Sequence, residues 1–414
     1  MEKKSNNIQT TFLKISALIY IISLNFHQYQ IFEISKKIEF KITEFFFILF
    51  TIIFIINLKN LKINNFKLYD YIILLFPFIS LVHLIYFQDK DSIVGFFAAA
   101  YLFLIYIFFK TLFLNGYKKI ILNYLILSGI ISSFFAILGW MLIQFNINTS
   151  LVLVYDYPIK IGQSGRSSAF FETPNSLMLF LIVPLFLSLD KFFQKKKLKN
   201  LFSFIFIFLA SVLTFSKSFL IIFGLIICYF SFKKNILKNF SFLFLIILTL
   251  IYLLISNFLI LEKSSNLYKQ LYNKTYVNTD RNLFFENKNY VITATNYYEN
   301  KIKATELILD SFFIGNGFNS FANYKNYEYP HLVGRPHSTY FGIFAEYGLL
   351  GIVFLILLFY LSLKKSLHFN KSNLSLVMIC IFLIIDGVNT DLLFTKIFWI
   401  FFAFISYNRI RSMM

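Results

Sequence analysis

Long apolar runs recur along the chain and are separated by short polar breaks. A helix needs about 20 apolar residues to cross the hydrocarbon core of a bilayer. The runs fall near residues 11–30, 43–58, 69–87, 92–113, 119–145, 176–190, 200–215, 218–232, 239–261, 338–362, 373–389 and 392–408. This pattern predicts an all-α, polytopic integral membrane protein with about 12 transmembrane helices. We expect residues 1–414 to form a single membrane domain surrounded by the lipid bilayer.

Composition excludes the other broad classes of protein. Hydrophobic residues make up 58% of the chain and charged residues only 14%. A soluble domain is about 45–50% apolar, so a soluble protein of this composition could not cover its surface. A soluble enzyme, a disordered chain and a fibrous repeat are therefore excluded. We interpret the net charge of +19 as a sign of membrane topology, and we expect no nucleic-acid partner.

The lysines between the runs predict which loops face the cytoplasm. Lys3 and Lys4 place the N-terminus inside, because positively charged loops stay on the cytoplasmic side. Alternation then puts inside the basic C-terminal tail and the lysine-rich breaks at 59–67, 118–119, 191–199, 233–238 and 364–371. Both termini are thus predicted to be cytoplasmic.

Two outer segments follow from this topology, at about 146–175 and 262–337. The second is the one long hydrophilic stretch of the sequence, and it lies between predicted helices 9 and 10. Loops of this length are uncommon unless they are functional. Within it, Glu299–Asp310 has helical periodicity, and Gly315 and Gly317 suit a helix stop and a tight turn. We predict one large outer loop with short helices inserted in it.

Several common motifs are missing from the sequence. It contains no Walker loop, no G-x-G-x-x-G after a strand and no H-E-x-x-H. The outer segments hold no Asp-x-Asp pair for a divalent metal on a diphosphate. We therefore expect no metal and no cofactor. Asp386 and Asp391 flank the last outer turn without a series of buried carboxylates, which argues against a proton-coupled transporter.

The remaining candidate residues are basic and lie outside: Arg166, Lys217, Arg281 and Arg335, with His337 two residues after the last. Guanidinium groups bind phosphate oxygens bidentately, and lysine binds them as a point charge. A histidine can take a proton from a hydroxyl near neutral pH. Such a set suits one task, which is holding a lipid-linked diphosphate while a hydroxyl attacks the attached sugar. Each residue alone also fits an ordinary role as a snorkelling anchor, a solvated side chain or a helix cap.

One stretch of the sequence favours a functional role for these candidate residues. Nine residues after His337-Ser338, Gly348 and Gly351 form a Gly-x-x-Gly pattern. Glu346 is one of the nine residues between Ser338 and Gly348. This arrangement closely resembles the signature of the O-antigen ligase family. That family also covers related O-antigen polymerases and protein O-oligosaccharyltransferases.

Two further patches are similar to segments of that family. The outer segment with Arg166 ends in Pro174-Asn175 before a membrane run. Gly315 and Gly317 open a Gly-x-Gly-x-x-x-Phe pattern after the helical stretch. The predicted topology, with its large outer loop late in the chain, agrees with the resemblance.

The resemblance covers roughly residues 160–355 and has two departures. Where the family usually has Ser-Arg after the seventh helix, this chain has Ser216-Lys217. This keeps the charge and loses the bidentate fork. Where the family has an arginine before the loop helix, the nearest position here is Tyr297, and the closest arginine is Arg281. Either the loop carries an insertion or another cation has taken that role.

The resemblance implies a membrane glycosyltransferase with a GT-C-like architecture. The donor would be a glycan on undecaprenyl diphosphate at the periplasmic face of a bacterial inner membrane. Arg166 and Lys217, with Arg281 or Arg335, would hold the diphosphate and stabilise its charge as it leaves. His337 would act as general base on the acceptor hydroxyl or would orient that hydroxyl, and single displacement would invert the anomeric centre.

The acceptor is the main alternative that the motifs leave open. A ligase passes the glycan to lipid A–core, a polymerase to another lipid-linked glycan, and an oligosaccharyltransferase to a protein hydroxyl. The single large outer loop favours the ligase, because a polymerase often shows two comparable outer loops. A lipid-linked oligosaccharide flippase or another transporter is the alternative from a different class. A membrane scaffold would leave the Arg–His–Gly pattern unexplained.

Overall fold

The structure is a computed structural model that describes residues 2–26, 29–35, 38–63, 66–145, 147, 149–153, 165–264, 283–323, 336–367 and 374–407. Its helices are α1 Glu2–Ser23, α2 Ile42–Ile56, α3 Leu68–Phe87, α4 Lys90–Leu114, α5 Lys118–Gln144, α6 Pro174–Lys195, α7 Leu198–Leu213, α8 Phe219–Lys234, α9 Lys238–Asn257, α10 Asn296–Asp310, α11 Thr339–Leu367, α12 Leu374–Asp386 and α13 Lys396–Tyr407. Its strands are β1 Gln30–Ser35, β2 Ile38–Lys41, β3 Val152–Leu153, β4 Arg166–Ser167, β5 Phe258–Glu262, β6 Leu283–Glu286 and β7 Tyr290–Ala294.

Most of the described chain is helical, and the helices are those expected of a polytopic membrane protein. Within the described residues, seven helices are long and apolar enough to cross a membrane, and four further apolar helices are shorter. The prediction of a polytopic, mostly helical membrane protein is therefore confirmed. The count of 12 crossings and the arrangement of the loops across the membrane stay predictions.

Helix α6 lies at the centre of the bundle. It packs against α5, α7, α12 and α13, and every residue from Leu177 to Asp190 is buried. Its start is fixed locally, because the Thr173 hydroxyl accepts a hydrogen bond from the Ser176 amide at 3.1 Å and Pro174 occupies the first helical position. Asn175 is thereby held in the first turn, at the predicted outer end of the bundle.

A small sheet connects α9 to the loop helix α10. Strands β5, β7 and β6 form an antiparallel sheet in the order β5-β7-β6, and β7 leads through Thr295 into α10. The Thr295 amide donates to the Asn257 carbonyl at 2.9 Å, and its hydroxyl donates to the Ser256 carbonyl at 2.6 Å. Helix α10 therefore begins directly over the end of α9. It includes the stretch Glu299–Asp310, whose periodicity predicted a helix.

The glycines after α10 form a close contact with a break in α11. Gly315 and Gly317 have φ of +82° and +87°, which confirms the predicted turn. Gly348 has φ +62° and ψ −155° and interrupts α11. A Cβ on Gly348 would lie 2.4 Å from the Phe313 carbonyl oxygen and 2.6 Å from the Gly315 nitrogen. Only a chain without side chains at these positions can pack this closely.

Backbone hydrogen bonds hold that contact together. The Asn316 amide donates to the Ala345 carbonyl at 2.9 Å, and the Gly317 amide donates to the Glu346 carbonyl at 3.0 Å. The buried Glu346 carboxylate also accepts from the Asn319 amide at 3.2 Å. Gly351 lies one turn after the break, where a Cβ would lie 2.5 Å from the Tyr347 Cβ. This part of the motif serves the backbone geometry that supports α10.

Candidate functional site

Six separate segments converge on one cavity at the predicted outer end of the bundle. They are β4, the start of α6, the break between α7 and α8, the end of α9, the first turn of α10 and the turn between α12 and α13. The cavity is lined by Arg166, Asn175, Ser216, Lys217, Ser218, Tyr252, Ser256, Tyr297, Asn389 and Thr390. Two of the cations singled out from the sequence, Arg166 and Lys217, therefore share one site.

Arg166 is half-buried and rigidly held. Its Nε donates to the Thr214 carbonyl at 2.9 Å, and its Nη2 donates to Asn175 Oδ1 at 2.9 Å. The Ser216 hydroxyl donates to the same Asn175 oxygen at 2.9 Å. Arg166 thus connects β4 to α6 and to the α7–α8 break, and its guanidinium plane is fixed before any ligand binds.

Lys217 lies at the mouth of the site. Its ammonium donates to the Ile255 carbonyl at 2.6 Å and lies 5.6 Å from the centre of the Tyr297 ring. It forms no ion pair with any carboxylate in the described part of the chain. Partial desolvation of the ammonium and the positive charge of Arg166 lower the pKa of Lys217. Two neighbouring cations that raise each other's energy are typical of a site for an anionic ligand.

Tyr297 connects these cations to His337. The Asn175 side-chain amide donates to the Tyr297 hydroxyl at 3.3 Å, and the Tyr297 and His337 rings lie 4.9 Å apart between centroids. Tyr297 therefore touches Asn175, Lys217 and His337 at once. It stands at the position where the resemblance predicts an arginine.

His337 precedes α11 and is held against the α12–α13 turn. Two residues later, the Thr339 amide donates to the Gly387 and Thr390 carbonyls, each at 2.9 Å. The Thr339 hydroxyl also donates to the Thr390 carbonyl, at 2.6 Å. His337 itself has φ +51°. This left-handed conformation is uncommon outside glycine, and such strain concentrates at functional sites.

The structure accounts for the other predicted residues unequally. Arg281 and Arg335 lie outside the described residues. Pro174 begins α6, and four further motif residues lie at the contact between α11 and the segment after α10. They are Gly315, Gly317, Glu346 and Gly348. Gly351 packs instead against Ile343 and Tyr347 of α11 itself. The functional roles of the cations and His337 stay predictions.

Asp386 and Lys301 support the cavity wall and were not predicted from the sequence as site residues. Asp386, fully buried at the end of α12, accepts hydrogen bonds from the Ser218 hydroxyl at 2.6 Å and the Tyr252 hydroxyl at 2.7 Å. It ties α8 and α9 to α12 beneath the cavity. Lys301 donates to Asn389 Oδ1 and, at 2.9 Å, to Asn257 Oδ1. Its spacing of four residues from Tyr297, which puts both on one helical face, is the signal that could have identified it.

Metal ligands are not grouped in the described residues, where no three His, Cys, Asp or Glu side chains are close enough to hold an ion. The chemistry that this site offers is that of fixed hydrogen-bond donors and positive charge beside an imidazole. Such a set can bind an anionic group and exchange a proton with a neighbouring hydroxyl.

Part of the chain matches a known protein family. Residues 202–356 match the O-antigen ligase family, less than half of the chain but including most of the site. The matched segment begins within α7, ends within α11 and contains Lys217, Tyr297 and His337. No curated protein matches the chain. The match indicates a membrane enzyme with activity of the O-antigen ligase or polymerase type, which acts on lipid-linked glycans. The match of residues 202–356 to the O-antigen ligase family agrees with the resemblance seen in the motifs.

Proposed function

We propose that this protein is an O-antigen ligase-type glycosyltransferase. It moves a glycan from undecaprenyl diphosphate to a lipid A–core acceptor at the periplasmic face of the inner membrane. The observation that carries the proposal is the grouping of Arg166, Lys217 and His337 around Tyr297, in a chain whose residues 202–356 match the O-antigen ligase family.

The cations suit the diphosphate of the donor. The guanidinium of Arg166 is fixed by Thr214 and Asn175, so it presents a fork of donors in one orientation. Lys217 adds a point charge that no carboxylate among the described residues neutralises. Donors that are in place before the reaction stabilise the negative charge that develops on the leaving diphosphate. Arg281 or Arg335 would complete the set.

The imidazole of His337 suits the acceptor. In the proposed step, His337 takes the proton of the acceptor hydroxyl, and the oxygen attacks the anomeric carbon of the donor sugar. The bond from that carbon to the diphosphate oxygen breaks, and its electron pair leaves with undecaprenyl diphosphate. A single displacement of this kind inverts the anomeric centre and requires no metal.

The glycolipid profile of cells that lack this protein tests the proposal. Complementation would use the wild type, His337→Ala, Arg166→Ala and Lys263→Ala. Lys263 forms an ion pair with Glu286 at 2.6 Å on the small sheet and serves as the matched control. Immunoblots of the membrane fraction check that each form is inserted. We expect core without attached O-chains, polymer accumulating on undecaprenyl diphosphate, and rescue by the wild type and Lys263→Ala alone.

Other profiles would identify the alternatives. If single repeat units reach the core while long chains vanish, the acceptor is another lipid-linked glycan and the enzyme is a polymerase. If both glycolipid profiles are normal and protein glycosylation is lost, the acceptor is a protein hydroxyl. Full rescue by His337→Ala would refute the role of that residue whichever profile appears.

A further inference from the structure

A buried amide in the wall of the site has a hydrogen-bond donor to spare. Asn389, in the turn between α12 and α13, is 1% exposed and lines the cavity with Arg166 and Lys217. Its Nδ2 carries two hydrogens. At most one of them meets the Tyr252 hydroxyl, which gives its own hydrogen to Asp386, so at least one is without a partner among the described residues. Buried donors in native proteins are almost always satisfied, so this one indicates a partner that enters the cavity.

Lys301 decides which way that amide faces. Its ammonium donates to Asn389 Oδ1 and to Asn257 Oδ1, and an ammonium has donors but no acceptor. Lys301 therefore selects the oxygen of the Asn389 amide. The nitrogen must take the other side, near Tyr252, which also lines the cavity.

Lys301 also brings uncompensated charge to the site. It forms no ion pair in the described ranges, although α10 carries other acidic and basic side chains. Its half-buried ammonium is desolvated, which lowers the pKa of Lys301 to about 8, so it remains largely protonated at pH 7. By contrast Lys303, on the same helix, pairs with Glu306 at 2.9 Å. Lys301 alone of these two lysines is linked to a residue of the cavity wall.

We propose that Asn389 Nδ2 donates a hydrogen bond to a diphosphate oxygen of the lipid-linked donor, and that Lys301 is the positioning residue that holds Asn389 in this orientation. The inference rests on the proposed function, because it assumes a diphosphate in the cavity. It supplies, from α10, the cation that the resemblance expects near Tyr297.

Direct binding of undecaprenyl diphosphate to the purified full-length protein in lipid nanodiscs tests this pair. The variants are Asn389→Asp, which keeps the shape and loses the donor, Lys301→Met, Lys301→Arg, and Asn389→Asp with Lys301→Met. Lys303→Met is the matched control, since it removes the same charge from the same helix. A hydrogen bond to a charged group corresponds to an affinity change of roughly tenfold or more.

We expect Asn389→Asp and Lys301→Met each to weaken binding about tenfold or more, and the double variant to be no weaker than the worse single one. Lys301→Arg should restore most of the affinity, and Lys303→Met should bind as the wild type does. Equal binding by Asn389→Asp and the wild type would overturn the inference, and so would additive effects or an equal loss in Lys303→Met. If the wild type binds undecaprenol as tightly as undecaprenyl diphosphate, the proposed function fails instead, which is a distinct result.

Discussion

Gly348→Ala should detach the segment after α10 from α11. At φ +62° and ψ −155° the backbone lies in a region that is essentially open to glycine alone, and strain there costs about 1–3 kcal/mol. The new Cβ would also lie 2.4 Å from the Phe313 carbonyl oxygen and 2.6 Å from the Gly315 nitrogen. Both atoms belong to the backbone, so the overlap cannot be relieved by turning a side chain.

Relief therefore requires that the two segments separate. Separation breaks the hydrogen bonds from Asn316 to Ala345 and from Gly317 to Glu346, and that from the Leu349 amide to the Phe312 carbonyl at 3.0 Å. Each is worth about 1 kcal/mol. Whether the variant keeps the contact under strain or loses these three hydrogen bonds, the contact between α11 and the segment after α10 should weaken by about 3 kcal/mol. This corresponds to a factor of roughly 150 in the equilibrium for opening the contact.

Hydrogen exchange measures this opening directly. In the purified protein, the amides of Asn316, Gly317 and Leu349 should lose about two orders of magnitude of protection in Gly348→Ala. Gly116→Ala is the matched control, because Gly116 has φ +85° but nothing within 4 Å of its Cβ position. Gly116→Ala should introduce the same unfavourable φ and leave the protection of these three amides unchanged. Wild-type protection in Gly348→Ala would refute the close-contact argument.

Three further changes test the site. Lys217→Arg should retain most glycan transfer in the complementation assay, since it keeps the charge, and a complete loss would indicate a tight steric fit instead. Tyr297→Phe should reduce transfer only a fewfold, because the ring beside Lys217 and His337 remains, whereas Tyr297→Ala should reduce it at least tenfold; similar activities would contradict the role of the ring. Binding of undecaprenyl diphosphate should weaken between pH 7 and pH 9, since Lys301 loses its proton near pH 8 and Lys217 also has a lowered pKa. If binding weakens less with pH in Lys301→Arg than in the wild type, the difference is due to the deprotonation of Lys301. Identical pH profiles for the two forms would contradict a role for this deprotonation.

The positions of the helices were predictable because hydropathy reports directly on burial in a bilayer. The end of α9 was not, because the apolar run 239–261 continues through β5, and apolar content alone does not separate a strand from a helix. The structure ends α9 at Asn257, and Phe258–Glu262 pairs with β7. Likewise the run 338–362 gave no sign of the break at Gly348, since hydropathy does not depend on φ.

Some residues of the candidate site were predictable from the sequence and others were not. Arg166 and Lys217 were found because each stands in a local motif beside a membrane run. Asn389 and Lys301 are 88 positions apart in the chain and meet only in the folded protein. No periodicity or local motif connects a turn between two helices to the face of a loop helix. Such contacts between distant segments are the part of the site that required the structure.

The two departures from the family pattern occur in contact with each other. Lys217 replaces the expected arginine of the α7–α8 break, and Tyr297 stands where the loop arginine would be; the ammonium lies 5.6 Å from the ring centre. A tyrosine removes a third positive charge from beside Arg166 and Lys217 and offers an aromatic face that attracts a lysine. Lys301, one helical turn after Tyr297, then returns a cation to the same face of α10, where its contact with Asn389 joins it to the wall of the cavity. Among the described residues, the proposed site would thus draw three cations from three segments, with Lys301 in place of the arginine that the resemblance expects near Tyr297.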